Sequence, residues 1–133
     1  MKIKKYSNKW KSSTNQQKQR KYNANAPLHI KQKFVRVHLS ETLRKKYNQR
    51  NVQIRVGDKV KVLRGDNRGK EGKVEKVDLK RTKIVVAGIE LTKKDGSKAI
   101  LELRPNSLMI TELKTGDKKR KIKLGDKKNE ESP

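Results

Sequence analysis

The chain has 133 residues, enough for one domain plus tails, with 38 Lys and Arg against 14 Asp and Glu, a formal charge of +24 and no cysteine. Without cysteine there is no disulfide framework, Cys-based zinc site or thiol nucleophile. A compact monomer this cationic repels itself, so a polyanion is expected to supply the missing charge.

Nucleic acid is the first candidate polyanion, because neutralised phosphates release their counterions. An anionic membrane surface is second. A solubility device is third, since added acids serve solubility better than added lysines. The N-terminus lacks an apolar signal region, and no apolar run approaches the roughly 20 residues of a membrane span. The expectation is a soluble, intracellular protein. The charge is uneven: residues 1–50 hold 15 Lys and Arg but a single acid, Glu41, whereas residues 51–113 hold 15 bases and 9 acids. The middle reads as a folded domain with a mixed surface, and the first 24 residues as a basic extended arm that lies down on a polyanion.

In that arm Tyr6, Trp10 and Tyr22 are interleaved with Lys9, Lys11, Arg20 and Lys21. Either the aromatics stack on unpaired bases while the cations hold phosphates, or they are tail residues with no defined partner. Residues 25–50 read as two short helices. Pro27 suits a first helical position, and Ile30, Phe34 and Val37 form one apolar stripe. Ser40 is a good N-cap with Glu41 in the first turn, Leu43 and Tyr47 share a face, and Asn48 can close the helix.

Residues 51–113 read as β structure. Val52, Ile54 and Val56 alternate, and Gly57-Asp58 is a turn. Val60 and Val62 alternate with Lys59 and Lys61, so one face enters a core. A loop follows with Gly65, Gly69 and Gly72 beside Arg64, Arg68, Lys70 and Lys73. The glycines permit positive φ and close backbone approach, leaving the cations pointing outward. Further strands are expected at Lys70–Val77, Ile84–Ala87, Ile89–Leu91, Ala99–Leu103 and Leu108–Ile110, with a tight connection at Leu79–Thr82 and a hairpin signal at Asp95-Gly96. Short strands at regular spacing point to a small barrel or sandwich. Residues 114–133 read as a mixed-charge tail.

Catalytic chemistry finds little support. Gly65-Asp66-Asn67-Arg68-Gly69-Lys70-Glu71 invites a P-loop reading, but that motif needs four residues between its glycines and a hydroxyl after the Lys. His29 and His38 do not share a helical face at metal-ligand spacing, and they read as exposed or RNA-facing imidazoles. Asp58, Asp66, Glu71, Glu75 and Asp78 each sit near a Lys or Arg, so surface ion pairing is their expected role. No nucleophile–base pair stands out, and no cofactor or metal site is expected.

Gly57-Asp58-Lys59-Val60-Lys61-Val62, Arg64-Gly65, Arg68-Gly69 and Gly72-Lys73-Val74 together resemble a KOW motif, which also occurs in transcription elongation factors. The flanks are more specific. Gln19-Arg20-Lys21, Asn25 to His29, Leu39 to Tyr47, Val77 to Arg81 and Arg104 to Ile110 resemble, in order, the KOW-containing large-subunit ribosomal protein family numbered twenty-four, in its archaeal and eukaryotic form. The resemblance spans residues 18–113 and leans archaeal. It implies a mainly β fold: a small SH3-like β-barrel (KOW) over residues 51–113 with short N-terminal helices and basic extensions. It also implies a non-enzymatic constituent of the cytoplasmic ribosome that binds large-subunit rRNA early in assembly near the peptide exit tunnel mouth. Its partners would be rRNA and neighbouring ribosomal proteins, without homo-oligomerisation. The residues expected to hold RNA are Lys18, Arg20, Lys21, Lys31, Lys33 and Arg36 before the barrel and Arg64, Arg68, Lys70 and Lys73 in it. Arg68 stands where the family usually has Lys, which adds a bidentate fork, and Arg104 stands where His is usual. The alternatives are a KOW-type elongation module that docks on RNA polymerase, and an enzyme acting on RNA.

Overall fold

A computed structural model describes residues 5–125. A 3-10 turn, Asn8–Ser12, leads into α1 (Gln16–Asn25) and α2 (Leu28–Phe34). Then come β1 (Arg36–Leu39), α3 (Glu41–Tyr47), β2 (Asn51–Gln53), β3 (Lys59–Val62), β4 (Glu71–Asp78), β5 (Lys83–Thr92) and β6 (Lys98–Leu103). A 3-10 turn at Pro105–Ser107, β7 (Leu108–Glu112) and α4 (Lys118–Leu124) complete the order.

The fold is mainly β. Seven strands form one mixed sheet in the order β2-β1-β7-β3-β4-β5-β6. All pairings are antiparallel except β1 with β7, where His38 lies opposite Met109 and Leu39 opposite Ile110. The register shifts within β3, β4 and β5, most widely between Val85 and Glu90. Such irregularities increase local twist and bend the sheet around its apolar side. That side holds one core, whose buried members come from most of the strands: Val35, Val37 and Leu39, then Val60, Val62, Val74, Ile84 and Val86, then Leu108 and Ile110.

Four stretches differ from the sequence reading. Residues 16–25 are helical, not an extended arm. Asn15 caps α1 by accepting from the Gln17 N–H at 2.9 Å, and the Gln19 carboxamide donates to Trp10 O, Lys11 O and Ser13 O at 3.2, 3.1 and 2.7 Å, folding the preceding turn against the helix. Tyr22 is buried, stacks on Tyr6 with centroids 5.5 Å apart and meets Phe34 edge-on at 5.8 Å. These aromatics pack on one another, and Trp10, like Tyr6, is partly exposed.

Val37 belongs to a strand, not to the stripe of α2. Val35, Val37 and Leu39 alternate into the core, and the helix stops at Phe34. The expected strand through Val56 ends at Gln53, with Ile54 buried and Val56 exposed. Asp58 turns the chain there by accepting the Arg55 N–H at 2.9 Å.

The fourth difference is α4, in a segment read as tail. Asp117 caps it by accepting the Lys119 N–H at 3.0 Å, and Gly125 closes it at φ 86°. Arg120 and Leu124, one turn apart, are both buried. Lys127, Lys128, Asn129, Glu130 and Glu131 of that tail lie outside the described residues.

α4 is fastened through Asp58, which is fully buried rather than on the surface as expected. Arg120 grips both its carboxylate oxygens at 2.6 Å. The same carboxylate accepts the Lys114 N–H at 2.9 Å, while Arg120 also donates to Lys114 O and Gln53 O at 3.2 Å each. Arg55 pairs with Asp117 beside it, and that bond holds the Asp117 carboxyl below its ordinary range. In α3, Ser40 stands at the N-cap position but its hydroxyl makes no capping bond and instead meets the Thr42 hydroxyl at 3.1 Å, while Asn48 closes the helix in the left-handed region at φ 50°.

Candidate nucleic-acid interface

The β3–β4 loop is a tight, internally bonded turn. Gly69 N–H donates to Val62 O at 2.8 Å, Val62 N–H to Lys70 O at 2.9 Å, and Lys70 N–H to Asn67 O at 3.1 Å. Leu63 N–H reaches Ser107 O at 2.8 Å, tying the loop to the turn before β7. Gly65 and Gly69 have φ of 89° and 87° with open space where a side chain would stand, so it is backbone conformation that calls for glycine there. Gly72 is different: a Cβ there would meet Ala87 O at 2.4 Å, so it is the packing of β4 on β5 that excludes a side chain.

This frame presents Arg64, Arg68 and Lys70, all exposed. Neither arginine has a carboxylate within salt-bridge distance among the described residues, and the Lys70 ammonium donates to Asn67 Oδ1 at 2.8 Å. Lys73, also exposed, stands apart from them on β4 opposite Lys59, whose ammonium lies between Glu71 at 3.8 Å and Glu112 at 3.3 Å. The structure thus gathers three of the four expected loop cations on one turn.

Of the expected cations before the sheet, Lys18, Arg20 and Lys21 are exposed on α1, Lys33 on α2 and Arg36 on β1. Lys31 points inward. It is buried, and its ammonium donates to Ala24 O at 3.2 Å and Lys80 O at 3.3 Å. These bonds bolt the α1–α2 corner to the β4–β5 turn and turn the ammonium away from the surface, unlike the other expected cations. Helical periodicity alone does not separate Lys31 from Lys33.

His38 is half-buried on the outward side of β1. Burial, then the positive charges of Arg44 and Arg50, lower its pKa from 6.5. The folded chain therefore takes up this proton less readily than the unfolded chain. The resulting stability is fully present above pH 6.5 and is lost as pH falls through the lower folded value. Denaturation midpoints measured from about pH 7 to pH 5 should fall less steeply in His38→Gln than in the parent.

Residues 13–127 match the family model that describes ribosomal proteins, L26 in eukaryotes and the L24 type in archaea. The chain belongs to this family. It is 48% identical over 103 residues to a large ribosomal subunit protein uL24 of Methanothrix thermoacetophila, covering 77% of this chain and 89% of that protein. It is 44% identical over 113 residues to the uL24 protein of Methanocella arvoryzae, covering 85% and 91%. The family match reaches past α4, so it includes the segment that fastens to Asp58.

Proposed function

We propose that this chain is a non-enzymatic structural constituent of the large ribosomal subunit that binds its rRNA. The carrying observation is the rigid β3–β4 turn with Arg64 and Arg68 free of carboxylates among the described residues, in a chain of charge +24 that belongs to a ribosomal protein family. Guanidiniums held on a bonded turn lose little freedom when they grip phosphate. Duplex RNA hides its base edges in a deep groove, so contacts to backbone and shape dominate. Lys18, Arg20, Lys21, Lys33 and Arg36 extend the grip along the N-terminal helices and β1. The sheet is read as an SH3-like KOW barrel, supported by its register shifts and its single enclosed core. Early assembly, a place near the exit tunnel mouth and a cytoplasmic ribosome are what the family resemblance implies. The elongation-module alternative shares the KOW stretch alone, whereas the family match runs through both flanks.

Binding to deproteinised large-subunit rRNA should weaken with salt by about 0.7 to 0.9 log units per log salt for each phosphate neutralised. Arg68→Ala combined with Lys70→Ala should cost about 1.5–3 kcal/mol of affinity for each charged hydrogen bond lost, with the melting temperature unchanged. Salt-independent binding, or co-sedimentation with RNA polymerase instead of large subunits, overturns the reading.

A further inference from the structure

The outer edge of the sheet carries a second cationic site. Strand β2 pairs on one side with β1, and on its other side a cleft of about 450 Å³ opens towards α4. Arg36, Arg50, Asn51 and Gln53 line one side, Lys123 lines the α4 side, and no carboxylate among the described residues lines either. Arg55 and Arg120 also reach the cleft, but their charges are met by Asp117 and Asp58. Arg36, Arg50 and Lys123 are exposed and have no carboxylate within salt-bridge distance among the described residues.

The two walls are held at a set separation. Gln49 donates to Lys123 O at 2.8 Å, Arg120 clasps Asp58, and Arg120 also donates to Gln53 O at 3.2 Å. Three like charges around a prebuilt cleft, unpaired among the described residues, repel one another until an anion enters. The carboxamides of Asn51 and Gln53 add neutral N–H donors for phosphate oxygens beside the stronger, charge-assisted ones of the cations. The site is separate from the β3–β4 loop, because Arg120 ties the cleft to Asp58 at the start of β3, whereas the loop follows the far end of that strand, roughly 13 Å away at the usual rise over its residues.

We propose that this cleft seats a second stretch of RNA phosphate backbone, so that the chain holds two RNA segments at once, one at the β3–β4 loop and one against α4. This rests on the RNA-binding reading above and adds Arg50 and Lys123, with Asn51 and Gln53, to the residues that carry it. A continuous backbone fits an open cleft at a sheet edge better than an isolated small anion does, since its neighbouring phosphates can meet Arg36, Arg50 and Lys123 in turn.

The test uses the full chain and a variant carrying Arg36→Gln, Arg50→Gln and Lys123→Gln, whose melting temperature should match the parent because all three side chains are exposed. Against deproteinised large-subunit rRNA, the parent's log affinity should fall steeply with log salt. The variant's slope should be shallower by about 2, with affinity at low salt reduced about 10- to 100-fold. Its loss should add to that of Arg68→Ala with Lys70→Ala, as for independent sites. His38 beside Arg50 supplies a local readout: a short RNA duplex should move its NMR titration to higher pH in the parent and not in the variant. An unchanged salt slope in the variant, while the loop variant still weakens binding, overturns the second seat and leaves the RNA reading standing. Failure of the parent to bind rRNA overturns the RNA reading itself. A His38 shift with inorganic phosphate but none with the duplex makes the cleft a small-anion site and overturns the proposal.

Discussion

Arg120→Met should destabilise the folded chain by about 3–5 kcal/mol, a large share of the roughly 5–15 kcal/mol that holds a domain together. The side chain is 2% exposed and its partner Asp58 is 0% exposed. Methionine restores much of the packing volume and supplies none of the charge. Asp58 would keep its bonds from the Arg55 and Lys114 amides but lose both guanidinium bonds, leaving a carboxylate stranded out of water. The pair as a whole is no measure of net gain, because taking two charges out of water offsets most of their attraction. The asymmetry arises from removing one partner alone. Adding Asp58→Asn to Arg120→Met should cost less than the sum of the two single changes, since no buried charge then remains. Lys121→Met, at an exposed position of the same helix, should stay within about 0.5 kcal/mol of the parent. Urea denaturation of the four variants checks the series. A loss below about 1 kcal/mol for Arg120→Met would mean that water reaches Asp58 once the arginine is gone.

Gly72→Ala should cost about 3 kcal/mol, at the upper end for an overpacked site. The added methyl would lie 2.4 Å from Ala87 O and 2.8 Å from a Val86 methyl. The nearer obstacle is backbone in the adjacent strand and cannot swing aside as a side-chain tip can. Relief requires β4 and β5 to part where Val74 pairs with Val86, at the centre of the core. Gly65→Ala is the informative contrast. It has open space around it and costs only the left-handed backbone strain, about 1–2 kcal/mol. Thermal melts of the two variants should therefore rank Gly72→Ala well below Gly65→Ala. The reverse order would show that β5 gives way to the added methyl, leaving the left-handed backbone at Gly65 as the stricter requirement.

The strands from Lys59 to Ile110 are legible because their valines, isoleucines and leucines alternate with polar residues between clear turn signals. Strand β1 escapes a sequence reading because Val37 satisfies two periods at once: seven residues after Ile30, and two after Val35. Only the pairing of β1 with β7 decides between them, and that partner lies far along the chain, His38 meeting Met109. Helix α1 lacks an apolar stripe, since Tyr22 is its one buried residue, so periodicity has nothing to detect. Its cap at Asn15 and the bonds from Gln19 carry it instead. Helix α4 does have signals, Asp117 before it and Gly125 after it, but its inward face pairs a leucine with an arginine, and a buried arginine reads as surface until its acid is found. The loop cations are legible as a cluster. The inward turn of Lys31 and the gathering of Arg50 and Lys123 at the β2 edge depend on contacts between distant segments, which no local spacing announces.

The central place of β7 sets an order of events for a newborn polypeptide. Strands β1 and β3, complete by residue 62, have no direct partnership with each other and are joined only through residues 108–112. Until that stretch has been synthesised and freed, the two early ribbons expose unpaired edges and the greasy side that Leu108 and Ile110 later cover. Maturation therefore waits on residues 108–112, and nascent chains stalled before that point should be the ones that chaperones hold and proteases trim.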